Sequence, residues 1–226
     1  MKKRIDNINI SRREAVKGLL VLGTISLLPK FILTSFKGAA PIHFIGLGGA
    51  GSNQIEFLYN KGIKGKFTCI SNPLRPHLSK EIQFINFIPP GESHYKNGVE
   101  VFKTSDMKQA IEIPNVVLNI FKSNDTFVLL SGLGGYTGTF MTEELTLKLI
   151  QSKKSFITIS SLPFNFEGQK RKSIAENTKN KLKSIENFHY YELDKIRNEY
   201  GNLPLKEALE KANEQIYKIY KANAQV

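Results

Sequence analysis

Two glycine-rich segments carry the residue types that bind phosphate groups. The first, IGLGGAGSN at residues 45–53, follows an apolar run and places Gly46, Gly48 and Gly51 in the pattern G-x-G-x-x-G. Glycines at this spacing allow a tight turn that brings backbone N–H groups and a helix N-terminus close to an anion. Several unrelated families use similar turns, so this segment predicts a phosphate site and leaves the type of nucleotide open.

The second segment, LLSGLGGYTGTF at residues 129–140, contains Gly132, Gly134, Gly135 and Gly138. Such glycines let consecutive N–H groups converge on an anion, and Thr137 and Thr139 add hydroxyl donors at the start of a helix. A dinucleotide-binding dehydrogenase needs only the first loop and an acidic residue after its second strand, where this chain reads SNPLRP. Two loops on neighbouring strands therefore favour a di- or triphosphate over a dinucleotide.

The elements that position these loops alternate between strand and helix from residue 41 onward. Strand patterns cover residues 41–47, 66–72, 82–88, 125–133, 155–164 and 188–193. Helical patterns cover residues 50–63, about 106–121, 139–153, roughly 168–186 and 204–222, while residues 81–103 are otherwise irregular. This alternation predicts an α/β fold with a doubly wound, mostly parallel Rossmann-like sheet. Both glycine loops fall at the carboxyl ends of strands, where ligands bind in such sheets.

The order GLGGAGSN, SGLGGYTGTF and SLPFNFEGQKR resembles the FtsZ branch of the tubulin/FtsZ GTPase superfamily over roughly residues 41–220. The family's motifs read GxGGxGxN, GGGTGTG and PFxFEGxxR. The resemblance implies GTP or GDP as the ligand, Mg²⁺ at the phosphates, and self-assembly or assembly with a partner FtsZ-like protein. The nucleotide-binding residues that it implies are Gly48, Gly49, Gly51, Ser52, Asn53, Gly134, Gly135, Thr137, Gly138, Thr139, Glu167, Arg171 and Asn213. Glu167 and Arg171 could instead form an ordinary i, i+4 ion pair on a helix.

Several positions depart from the family pattern. Tyr136 and Phe140 replace signature glycines, and Pro73 stands where FtsZ usually has an aspartate. Leu193 aligns with an asparagine that contacts guanine, and Asn213 replaces a guanine-binding aspartate. A carboxylate only accepts hydrogen bonds, whereas an amide both accepts and donates, so discrimination for guanine is expected to weaken or change.

The chain is also shorter than the FtsZ proteins that it resembles. FtsZ continues beyond the last predicted helix into an acidic loop that completes the next subunit's active site, and then into a second domain, whereas this chain ends at Val226. We therefore expect no C-terminal domain and weak or partner-dependent GTP hydrolysis, and we assign no catalytic residue. The Cys and His residues form no recognisable metal-ligand cluster in the sequence, so no metal ligand is assigned. The alternative is a degenerate tubulin-like fold used for protein interaction without nucleotide turnover. The apolar face of the last helix, with Leu209, Ile216 and Ile219, either contacts a partner or caps the sheet.

The first forty residues form a separate segment in this interpretation. Of the formal net charge of +12, about half belongs to residues 1–40, where a basic region precedes an apolar run. This pattern predicts a targeting or membrane-anchoring segment, and SRREAVKG with Arg12 and Arg13 resembles a twin-arginine export signal. An uncleaved anchor, a helix on the membrane surface and a buried helix all remain open, as do the cytoplasmic face and export. Residues 41–226 form the predicted nucleotide-binding domain.

The remaining composition excludes some classes of protein. The single cysteine, Cys69, rules out an internal disulfide and lies in an apolar strand, which is typical of a buried thiol. The excess of basic residues suits anionic partners, but no recognised nucleic-acid-binding motif is present, so a nucleic-acid partner is not expected. The expected cellular role is that of a membrane-associated module in cell division or membrane remodelling.

Overall fold

The computed structural model describes residues 40–72, 79–87, 93–96, 99–102 and 113–224. The part from Pro41 onward forms one compact unit. Residues 1–39 lie outside the described residues, as does Pro73, so the predicted targeting segment stays a prediction. Within the described ranges, no helix is long and apolar enough to span a bilayer.

Six parallel strands form the central sheet, in the order β3-β2-β1-β6-β7-β8. They are β1 (Ile42–Leu47), β2 (Lys66–Ser71), β3 (Gln83–Asn86), β6 (Thr126–Gly132), β7 (Phe156–Leu162) and β8 (Phe188–Glu192). A separate antiparallel pair consists of β4 (Ser93–Lys96) and β5 (Val99–Phe102). The strand order reverses between β1 and β6, which pair in parallel from Ile42 opposite Thr126 to Leu47 opposite Ser131. A ligand crevice forms at such a switch point.

The helices are α1 (Gly48–Asn60), α2 (Asn115–Ile120), α3 (Tyr136–Gln151), α4 (Gln169–Leu182), α5 (Asp194–Tyr200) and α6 (Leu205–Asn223). The predicted doubly wound, parallel α/β fold is confirmed. Three details differ from the sequence-based expectation. The β4–β5 pair lies in a stretch expected to be irregular, α5 was not expected, and α2 covers only the end of the helix predicted from about residue 106, whose first part lies outside the described residues.

The four inner strands, β2, β1, β6 and β7, are buried on both faces because helices cover the sheet on each side, which explains their nearly continuous apolar sequences. On one face, α1 and α6 pack on alternate strand residues such as Phe44, with Ile216 only 3% exposed. On the other face, α2 and α3 pack against the intervening residues, such as Ile45. Leu209 and Ile219 are partly buried against the first of these cores. The apolar face of α6 therefore caps the sheet.

A partly buried polar cluster lies at the amino ends of the strands, opposite the glycine loops. Lys66 Nζ donates a hydrogen bond to Asp125 Oδ2 over 2.8 Å, and Ser123 Oγ donates to the same oxygen over 3.0 Å. His43 Nε2 is 2.8 Å from Thr68 Oγ1, and its Nδ1 is 3.6 Å from Asp125 Oδ2. Burial lowers the pKa of His43, and the nearby Asp125 carboxylate only partly offsets this effect.

Candidate functional site

A cavity of about 510 Å³ lies at the carboxyl ends of the central strands. It is bordered by the first turns of α1 and α3, by the start of α4 and by one side of α6. Nine of the thirteen predicted site residues line it: Gly48, Gly49, Asn53, Gly135, Thr137, Gly138, Glu167, Arg171 and Asn213. The fold thus brings together the three motifs, although their role in binding a nucleotide stays a prediction.

The other four predicted residues lie behind this lining and shape the loops. A Cβ on Gly51 would overlap a backbone carbonyl oxygen of β6, so α1 can approach the sheet only with glycine there. Ser52 is fully buried and its hydroxyl donates to the carbonyl oxygen of Gly48 over 3.0 Å. Gly134 has a φ of +95°, and its N–H donates to Thr139 Oγ1 over 2.9 Å. These contacts fix the loops without reaching the cavity.

The two glycine loops touch each other through their backbones. Gly48 has a φ of +69°, and a Cβ at this position would lie 2.9 Å from the backbone nitrogen of Gly138. A Cβ on Gly138 would in turn overlap the carbonyl oxygen of Gly132. Larger residues would force the loops apart. The backbone N–H groups of both helix starts therefore border the same small space.

The N-terminus of α3 faces open space in the cavity. Its N-cap residue is Gly135, which makes no side-chain cap, and the first turn contains no acidic residue. A Cβ added to Gly135 would find nothing within 4 Å. The first N–H groups of a helix lack partners inside the helix and carry a partial positive charge. This end of α3 is consequently suited to an anion.

Arg171 and Glu167 supply the charged side chains of the cavity. Arg171 Nη1 donates to Glu167 Oε2 over 2.5 Å, and Glu167 Oε1 accepts from the N–H of Phe164 over 2.9 Å. The alternative i, i+4 ion pair is therefore formed, and it lies at the cavity. Among the described lining residues, these two are the sole basic and acidic side chains. A guanidinium has five N–H donors, so the pair with Glu167 leaves donors for a further anion.

The chain is similar to known proteins in sequence and in structure. No family model matches the chain. The cell division protein FtsZ of Mycoplasmopsis pulmonis is 29% identical over 181 residues, which cover 78% of this chain and 45% of that protein. FtsZ of Helicobacter pylori is 31% identical over 164 residues, covering 72% and 42% respectively. The mitochondrial division protein fszB of Dictyostelium discoideum is 29% identical over 138 residues, covering 60% and 37%.

Solved structures agree with these similarities in sequence. The W319Y mutant of M. jannaschii FtsZ superposes with a TM-score of 0.60 at 19% identity, covering 92% of this chain and 58% of that one. The empty FtsZ dimer from M. jannaschii gives a TM-score of 0.58 at 22% identity, with coverage of 92% and 57%. The chain is a divergent FtsZ-like domain. It spans about half the length of the relatives that it matches.

The side of the cavity formed by α6 is mainly apolar, whereas the glycine loops of this FtsZ-like domain present backbone N–H groups. Three apolar side chains of α6 line this side, Leu209, Ala212 and Ile216, and Leu193, which directly follows β8, adds a fourth apolar side chain to the lining. The amides of Asn213 on α6 and Gln54 on α1 also line the cavity. Gln54 is only 4% exposed, and its Oε1 has no hydrogen-bond partner among the described residues. A buried amide oxygen without a partner is unusual in a folded protein.

Some lining residues were not predicted from the sequence. Ser71 and Asn72 follow β2, and Ser161 lies near the end of β7, so their positions at the carboxyl ends of strands were an available signal. Gln54 gave no such signal. Of the two residues that replace signature glycines, Tyr136 lines the cavity.

Proposed function

We propose that this FtsZ-like domain binds GTP or GDP between its two glycine loops and acts as the nucleotide-binding module of an assembly. Two kinds of relatives support the assignment, since their names place them in cell division and in mitochondrial division. We place the chain in the same kind of process, division or remodelling of a membrane. Self-assembly, or assembly with a partner FtsZ-like protein, belongs to this proposal.

The observation that carries the proposal is the open space over the N-terminus of α3. It is bordered by Gly135, by the Gly48–Gly49 turn of the first loop and by Arg171. Phosphate oxygens would accept hydrogen bonds from the backbone N–H groups, and the Arg171 guanidinium would donate to them. The cavity volume of about 510 Å³ lies within the range typical of small-molecule sites.

The residues that line the cavity also indicate how Mg²⁺ would bind with the nucleotide. The described residues contain no group of three or more His, Cys, Asp and Glu side chains placed to hold a metal. Mg²⁺ bound with a nucleotide commonly keeps several waters and takes its other ligands from the phosphates. The residues fit this arrangement, with the Thr137 hydroxyl as a protein oxygen beside the phosphate end. The ion would supply compensation of the phosphate charge.

We propose weak or partner-dependent GTP hydrolysis. Glu167 is the one carboxylate of the described lining, and it is paired with Arg171 and with the N–H of Phe164. A carboxylate held in this way is not placed to orient a water molecule. A partner that brings a carboxylate to the cavity would supply this function. Residues 1–40 would attach the module to a membrane, either on its cytoplasmic face or after export.

Calorimetric titration of GTP and GDP into the full chain in detergent, with and without Mg²⁺, tests the proposal. We expect binding of both nucleotides, weaker without Mg²⁺. The second candidate function is a tubulin-like interaction domain, which is favoured by the presence of Tyr136 and Leu193 in the cavity lining. Absence of binding at millimolar nucleotide would refute the first function and leave the second.

A further inference from the structure

The side of the cavity away from the glycine loops determines how the base would be recognised, an inference that rests on the proposed function. With phosphates at the starts of α1 and α3, the base lies toward α6. Leu193, Ala212 and Ile216 are at most 7% exposed and offer apolar contact to an aromatic ring. Apolar contact of this kind binds any base and does not distinguish guanine from adenine.

Four amide side chains line the cavity, and two of them carry this inference. Gln54 and Asn213 line the cavity from the neighbouring helices α1 and α6. The Gln54 oxygen has no partner among the described residues, and leaving such an atom buried destabilises a protein. Rotation of the amide by half a turn exchanges its oxygen and nitrogen. A bound base that forms a hydrogen bond with this amide would supply the missing partner.

No carboxylate of the described lining is available to the base. The sole one, Glu167, is engaged by Arg171 beside the phosphate end. Guanine presents adjacent N–H donors that suit a carboxylate, whereas adenine presents an amino donor beside a ring-nitrogen acceptor. An amide can donate and accept, so it pairs with either edge.

We propose that Gln54 and Asn213 hydrogen-bond the base of a bound purine nucleotide, and that guanine and adenine nucleotides consequently bind with similar affinity. The expected ratio of their dissociation constants is within about tenfold, the difference that one neutral hydrogen bond produces. The site is therefore a general purine-nucleotide site.

Titration of GTP and ATP, each with Mg²⁺, into the full chain tests this inference. Dissociation constants within tenfold of each other support it. GTP binding more than tenfold tighter than ATP overturns the inference and leaves the proposed function intact. Absence of binding by either nucleotide overturns both.

Two variants separate recognition of the base from a structural role. Asn213→Asp should shift the GTP/ATP ratio toward GTP by about tenfold or more, because the carboxylate accepts from guanine and faces an acceptor on adenine. Gln54→Leu should weaken the binding of both nucleotides severalfold, because a hydrogen bond to the base is lost. It should also raise the melting temperature of the nucleotide-free chain, because the buried oxygen without a partner is removed. The matched control is Gln151→Leu, at an exposed position outside the cavity lining, which should leave both affinities unchanged. Unchanged affinities in Gln54→Leu, or an unchanged ratio in Asn213→Asp, would overturn the proposal.

Discussion

Gly135 offers a direct test of where the phosphates lie. It is the N-cap residue of α3, and a side chain at this position would enter open space. The Gly135→Asp variant places a carboxylate at the helix N-terminus, where it can accept from the first N–H groups. That is also the place proposed for a phosphate. The variant should therefore stabilise the protein while it blocks the nucleotide.

The two effects differ in size. An Asp or Asn in place of Gly at an N-cap raises the free energy of unfolding by roughly a few tenths of a kcal/mol, and the negative charge adds about 0.3–1 kcal/mol through the helix dipole. Against a phosphate about 5 Å away, at an effective dielectric constant of about 20, the same carboxylate costs about 3 kcal/mol, or roughly 150-fold in affinity.

Gly135→Asn is the matched control, because it has the shape and capping ability of Asp without its charge. Circular dichroism melting of the nucleotide-free variants should give a melting temperature for Asp at or above that of the original chain. Calorimetry with Mg²⁺ should show that Gly135→Asp binds GDP much more weakly than Gly135→Asn does. Equal affinities of the two variants would refute the placement of phosphate at the N-terminus of α3.

Three further outcomes are expected. Arg171→Ala should weaken GDP binding about ten- to hundredfold in calorimetry, because a charged hydrogen-bond donor is lost. The control Lys170→Ala, at an exposed position outside the cavity lining, should leave GDP affinity unchanged, and a similar loss of affinity in both variants would show that only the net charge of the protein matters. Gly51→Ala should lower the free energy of unfolding, measured in urea, by about 2–3 kcal/mol, because the new Cβ overlaps β6. The control Gly62→Ala should lower it by about 1 kcal/mol, because the space there is open and only the φ of +74° disfavours alanine. Burial lowers the pKa of His43 in the folded state, so the unfolded chain takes up the proton first and the free energy of unfolding should fall as the pH drops from 7.5 to 5. His43→Gln should make the free energy of unfolding less dependent on pH, and an equal pH dependence in both proteins would contradict this role of His43.

Much of the fold could be predicted because its determinants are local. Apolar runs of strand length that alternate with helical periodicity specify a parallel α/β sheet without knowledge of any contact. The short helix α5 was missed, although Asp194 in its first turn and Gly201 after its end, with a φ of +76°, are local signals. A seven-residue helix depends on tertiary packing, here of Ile196, which is 1% exposed.

The candidate site was predicted to a similar extent and for a similar reason. Residues of the glycine loops lie near one another in sequence, and the carboxyl ends of parallel strands meet at one edge, so Gly48, Gly135 and Arg171 could be placed together in advance. The motif alone could not separate residues that line the cavity from those that shape the loops. Gly51 and Thr139 belong to the second group because their contacts are made within the protein.

The sequence by itself determined the glycine turns and helix starts at which we propose that phosphate binds, because backbone turns and helix starts are set by neighbouring residues. Only the tertiary structure decided what lies opposite the glycine loops. The ion pair of Glu167 with Arg171 is local, because the two residues are four apart in the sequence. In contrast, the apolar side chains of α6 opposite the glycine loops, and the Gln54 oxygen that has no partner among the described residues, arise from packing between segments far apart in the chain. Such packing depends on which surfaces meet when the sheet is covered, and no local pattern specifies it.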